Sequence, residues 1–137
     1  MWDQETGVLR YQVGIGDGNA RIEGDHDVGW RLPQHDETIR SRPGTGAYYV
    51  RHRPVFQVGA GGTPISPNLA GRMAAAFGLC AQLFAASDPA DAHQCLLWGQ
   101  TIMDRAAGQP RSLVTSTPFD YYPEQEWQDD MEPAPPS

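Results

Sequence analysis

Ser66-Pro67-Asn68-Leu69-Ala70-Gly71-Arg72-Met73-Ala74-Ala75-Ala76-Phe77 decides how the rest of the chain is read. Ser66 stands where a helix cap accepts a backbone N–H, and Pro67 takes the first helical position, where a missing donor costs nothing. Leu69, Met73, Phe77, Cys80 and Phe84 then recur at three- and four-residue steps, the period of an amphipathic helix of about five turns. Ser87-Asp88-Pro89 repeats the cap-and-proline signal. Leu96, Ile102, Met103 and Ala106 line a second helix until Gly108 and Pro110 stop it, so 66–108 is expected to form one complete αα-hairpin with a short link.

Working outward, Val8-Leu9-Arg10-Tyr11-Gln12-Val13-Gly14-Ile15 alternates enough to read as a short strand, and Gly16-Asp17-Gly18-Asn19 ends it in a turn. From there to Thr63 no helical period persists, and prolines at 33, 43, 54 and 64 interrupt any attempt at one. Residues 1–65 are therefore expected to be mostly long loop, of the kind that carries function in compact domains. Residues 109–132 read as a loop and the start of another helix, with Asp129 and Asp130 in its acidic first turn. The proline-rich tail 133–137 cuts that helix off, as a truncated reading frame would. The fold class expected from these elements is all-α with long irregular loops.

Gly 15 and Pro 12 together make up about a fifth of 137 residues, well above ordinary usage. One pair of helices buries too little surface to order such long arms, so the chain is expected to be a piece of a larger domain. All ten basic residues are Arg, against 17 acidic ones, and the net charge of -7 argues against nucleic acid as a partner. No stretch reaches the roughly 18 apolar residues of a membrane span, and the start Met1-Trp2-Asp3-Gln4-Glu5 has no basic or apolar leader pattern. Cys80 and Cys95 fall on neighbouring predicted helices, which permits a bridge; two buried free thiols are the simpler expectation, because Cys packs as a small apolar residue.

The second informative stretch is Gly24-Asp25-His26-Asp27-Val28-Gly29-Trp30-Arg31-Leu32-Pro33. It places an imidazole, carboxylates, a guanidinium and an indole in one loop, the equipment for gripping a polar ring. Aromatic faces stack on the C–H surfaces of sugars while Arg, His and Asp take the hydroxyls. Trp30, Tyr48, Tyr49, Tyr121, Tyr122 and Trp127 all fall in predicted loops, so His26, Trp30, Arg31, Tyr121, Tyr122 and Trp127 are the candidate substrate-binding residues. Asp25, His26, Asp27 and His35 also suit a divalent ion, but their spacing fits no strong zinc pattern, and a hydrogen-bonded network that fixes the His26 tautomer explains them without one. Gly14-Ile15-Gly16-Asp17-Gly18 lacks the helix that a dinucleotide loop must open.

Together these stretches resemble the catalytic domain of family 9 glycoside hydrolases, the endoglucanase/cellulase group. The resemblance rests on Tyr11-Gln12-Val13-Gly14 with Asp17-Gly18, Asp25-His26 leading to Trp30 and Pro33, Arg53-Pro54-Val55-Phe56, Ser66 to Arg72, and Asp129-Asp130. It implies an (α/α)6 toroid of six helical hairpins, of which 66–108 would be one, with loops at one end forming a cleft for β-1,4-glucan or a related polysaccharide. It implies an inverting hydrolase in which one carboxylate activates water and another carboxyl protonates the leaving oxygen. Neither catalytic motif lies in this sequence, so no catalytic residue is assigned and the chain alone is expected to be inactive. Trp30 would stack on sugar and His26 would donate to it, although Gly29 adds a residue between them. Asp129-Asp130 resembles the Asp-Glu pair that in several cellulases helps hold a structural calcium; the chemistry itself requires no cofactor.

The expectation is a noncatalytic slice of a secreted polysaccharide-degrading glycosidase, with an oligo- or polysaccharide and the rest of the parent domain as partners. The rival readings are a self-standing carbohydrate-binding or structural module, and a metal-dependent hydrolase centred on Asp25, His26 and His35.

Overall fold

The computed structural model describes residues 1–14, 31–58, 62–108, 113–114 and 124–132. Strands β1 (Trp2–Asp3), β2 (Val8–Val13) and β3 (Val55–Val58) form an antiparallel sheet in the order β1-β2-β3. This overturns the all-α class and the toroid made only of helical hairpins: the chain is mixed, with helices beside a three-stranded sheet. The cause is local. Val8–Val13 and Val55–Val58 are rich in β-branched and aromatic residues, which favour an extended backbone, and each supplies the other with hydrogen-bond partners.

The stretch expected to be irregular also holds two short helices, α1 (Pro33–Asp36) and α2 (Gly46–His52). Pro33, taken as an interruption, sits at the start of α1, where proline is tolerated. Thr45 caps α2 by accepting from Tyr48 N at 3.3 Å. Helices of one or two turns are too short to show a period of 3.6.

The described residues fall into two compact units. The first holds Met1, 9–14 and 31–57, and it buries Leu9, Ala47 and Val50. Its aromatic rings form a chain: Tyr11 lies 6.5 Å from Phe56, Phe56 lies 5.9 Å from Tyr49, and Tyr49 meets Tyr48 edge-on at 5.7 Å. Tyr48 and Tyr49 thus belong to α2 and its packing, not to a loop.

The second unit holds 2–8, 58, 62–108, 113–114 and 124–132 and is built on helices α3 (Pro67–Phe84) and α4 (Pro89–Asp104). Asp88 caps α4, accepting from the N–H groups of Ala90 at 3.2 Å and Asp91 at 3.1 Å. The buried seam of α4 is Ala92, Cys95, Gly99 and Ile102, whereas Leu96, expected inside, is 57% exposed. A Cβ on Gly99 would stand 3.4 Å from the Phe77 Cβ and 3.5 Å from the Ala74 carbonyl oxygen. Such close approach selects small residues for the seam and turns Leu96 and Leu97 outward. Phe77 and Trp98 pack ring to ring at 5.5 Å. Cys80 and Cys95 are joined in a disulfide, with Cα atoms 6.0 Å apart, so the expectation of free thiols is corrected.

Beyond α4 the chain returns along residue 65: Ile65 N donates to Arg105 O at 2.7 Å, and Ala107 N donates to Ile65 O at 2.8 Å. The Arg105 guanidinium donates to the carbonyls of Gly7 and Thr63 and lies 5.4 Å from the centre of the Trp2 ring. No described helix is long and apolar enough to cross a membrane.

Candidate functional site

At the start of α3 the sequence sets Ser66, Asn68 and Arg72 close together along the helix. Ser66 does not cap its own helix with its side chain; its hydroxyl donates to Asn68 Oδ1 at 2.6 Å and accepts from Val114 N at 3.0 Å. Asn68 is fully buried. Its amide nitrogen donates to Val114 O at 2.9 Å and to Glu124 Oε2, so its polar atoms are satisfied where an unpaired amide would be costly.

One turn along, Arg72 holds two carboxylates. Nη2 donates to Glu124 Oε1, and Nε and Nη2 donate to the two Asp130 oxygens at 3.1 and 3.3 Å. Arg72 is half-exposed while Glu124 and Asp130 are mostly covered. The guanidinium fork suits this task because its donors are fixed in one plane. Its hydrogen bond holds the Glu124 carboxyl below the usual carboxylate range, with the Asn68 amide acting in the same direction against the effect of burial. The same hydrogen bond, with the charges of Asp130 and Glu124, raises Arg72 further.

Glu124 and Asp130 flank Trp127 by three residues on each side, so Arg72 fixes both ends of the segment that carries this half-buried indole. Asp129–Met131 forms a single 3-10 turn, seated where Gly71 leaves α3 without a side chain. A groove of about 470 Å³ runs beside it, lined by Gly71, Ala74, Gly78, Leu96, Gly99 and Met103, with Asp130 and Glu132 also in its wall.

The first unit has a second clamp. Asp36, 1% exposed, accepts from Arg31 Nε at 2.7 Å and from Arg53 Nη2 at 3.1 Å. Arg53 caps α2 in the left-handed conformation (φ 45°, ψ 55°), uncommon for a residue with a side chain, and also donates to Pro33 O at 2.6 Å.

Of the sequence-predicted site residues, His26, Trp30, Tyr121 and Tyr122 lie outside the described residues, as do Asp25 and Asp27. Arg31 is engaged with Asp36. Trp127 stands on the segment strapped to α3, and Asp130 is paired with Arg72, whereas Asp129 is exposed. His35 is exposed on α1, and among the described residues no three His, Cys, Asp or Glu side chains gather as metal ligands would. The polar residues that sequence reasoning leaves without a role are Asn68, Arg72 and Glu124 in one unit and Asp36 and Arg53 in the other. The signals for them are the stretches Arg53-Pro54-Val55-Phe56 and Ser66 to Arg72, which carry the family resemblance, and a polar pair, Asn68 and Arg72, four apart on an otherwise apolar helix start.

Residues 1–135 match the family model of glycosyl hydrolase family 9. No curated protein and no solved structure matches the chain.

Proposed function

The chain belongs to glycosyl hydrolase family 9, whose function is glycoside hydrolysis of the cellulase-like kind, and on that footing we propose that it is the substrate-gripping stretch of an inverting enzyme acting on β-1,4-glucan or a related polysaccharide. The observation that carries this reading is the family match across 1–135. Inversion needs a general base for water and a carboxylic acid for the leaving oxygen. The carboxylates of the two clamps are engaged otherwise: Asp36 with Arg31 and Arg53, Asp130 and Glu124 with Arg72. Glu124, held below its ordinary range, is the reverse of a general acid, which needs a raised value to keep its proton. In this reading the base and the acid lie outside this chain, which by itself binds and does not cleave.

In this reading Trp30 stacks on sugar and His26 donates to a hydroxyl, and Tyr121, Tyr122 and Trp127 are further sugar-binding residues. Arg31 is tied to Asp36 and braces the start of α1 rather than reaching substrate. The exposed Leu79, Leu83, Leu96 and Leu97 on the hairpin support further elements packing there, in keeping with a part of a larger catalytic domain. The Cys80–Cys95 bridge supports an oxidising, extracellular setting.

The test is cellohexaose turnover followed by proton NMR, with the chain alone and within a full-length enzyme that contains it. We expect no cleavage by the chain and an α-anomer as first product of the full enzyme. Initial release of the β-anomer would remove the inverting assignment, and turnover by the chain alone would remove the claim that its catalytic groups lie elsewhere.

A further inference from the structure

Calcium is held by six to eight oxygens, chiefly carboxylates and carbonyls with lone pairs to give. The family resemblance assigns such a role to the Asp129-Asp130 pair, and the donor set here does not fit it. Both Asp130 oxygens accept from Arg72. Glu124, the nearest further carboxylate on that segment in contact with the same guanidinium, gives one oxygen to Arg72 and the other to Asn68. Asp129 is exposed and belongs to no group of three metal-binding side chains among the described residues. A cation entering here would have to displace a guanidinium that is already covalently present.

We infer that Arg72 takes the place of the metal ion at this turn: its guanidinium is the internal cation that seats residues 124–132 on α3. The geometry has the features such a substitution requires. Arg72 sits next to Gly71, whose missing side chain lets the Asp130 backbone come down onto the helix. From that point the fork reaches Asp130 through two nitrogens and Glu124 through one of them, so a single side chain ties both ends of the Trp127 segment. A tethered charge needs no ion concentration to hold its site, and the seat therefore persists whatever the calcium activity outside. This rests on family membership and is independent of which glycan is bound.

The experiment is thermal unfolding of the 137-residue chain in chelator and in calcium of about 1 mM, the level at which extracellular calcium modules fill, with calorimetric titration by calcium alone. Equal midpoints and no stoichiometric heat are expected. A calcium-raised midpoint with one ion bound per chain would overturn the inference. Arg72→Met is expected to lower the midpoint in both buffers and to shift Trp127 emission to the red, read by difference against Trp127→Phe. An unchanged midpoint and emission in Arg72→Met would show that the guanidinium is not the strap. If that variant fails to fold, the calcium titration of the parent chain still decides.

Discussion

A Cβ built on Gly71 would lie 1.7 Å from the carbonyl oxygen of Asp130 and 2.5 Å from its carbonyl carbon. The obstacle is backbone, which cannot swing aside as the end of a side chain can. Gly71→Ala should therefore lift the 129–131 turn off α3, weaken both Arg72 contacts and cost about 1 to 3 kcal/mol, the usual range for overpacking. Gly99→Ala is the control, because its nearest neighbour is the Phe77 Cβ at 3.4 Å, a contact that a small shift relieves. Urea unfolding of the two variants checks this; equal stability would mean the turn is not seated against residue 71.

Acid should loosen the same segment. Glu124 has a folded-state value below its ordinary one, chiefly because Arg72 donates to it and secondarily because Asn68 does. Its contribution to stability is complete above the unfolded value of about 4.3 and is lost as pH falls through the lower folded value. The melting midpoint should decline below that pH, and Glu124→Gln should be less stable at neutral pH and show a shallower acid decline. Parallel pH profiles for the two proteins would remove Glu124 as the titrating group.

Reducing the Cys80–Cys95 bridge frees the closed loop between α3 and α4. For a loop of about 15 residues the expected loss is about 3 kcal/mol, most of it from the unfolded chain. Denaturation with and without dithiothreitol measures it, and a Cys80→Ser, Cys95→Ser double variant should match the reduced protein and ignore the reductant.

Asp36→Ala strips two guanidiniums of a buried partner. The expected cost is about 2 to 4 kcal/mol, somewhat below that of breaking a fully buried pair because the Arg53 side chain keeps part of itself in water. The loss of support for the left-handed Arg53 should also make the α2–β3 junction a site of early proteolysis. Limited proteolysis with mass mapping would show it, and an unaltered cleavage pattern would count against the clamp.

What could be known from the sequence follows how local the physics is. Asp88-Pro89 marks the start of α4 because a cap acts over two or three residues, and the Asp88 carboxylate does accept from Ala90 and Asp91. Ser66-Pro67 marks the start of α3 equally well, yet the Ser66 hydroxyl is used on Asn68 and Val114, which no local rule foretells. The strand over Val8–Val13 shows in its alternation, whereas β3 has only four residues and needs its neighbour to be recognised. Leu96 looks like core by period, but Gly99 and Cys95 bring the helices too close to seat it. Arg72 meets partners 52 and 58 residues away, a pairing that one sequence does not display. His26 and Trp30 lie outside the described residues, so their place in the site rests on the family resemblance.

Arg105 gives this chain an order of assembly. Its guanidinium reaches the Gly7 carbonyl across 98 residues, and the Trp2 indole lies beside it. The α3–α4 hairpin, whose contacts are near in sequence, can close early, while the Gly7–Arg105 contact waits for a loop of 98 residues to be drawn shut. The Gly7 turn is thus fastened to Arg105 only after the hairpin has formed, and in the interval the Trp2 indole and the Arg105 guanidinium stay open to water.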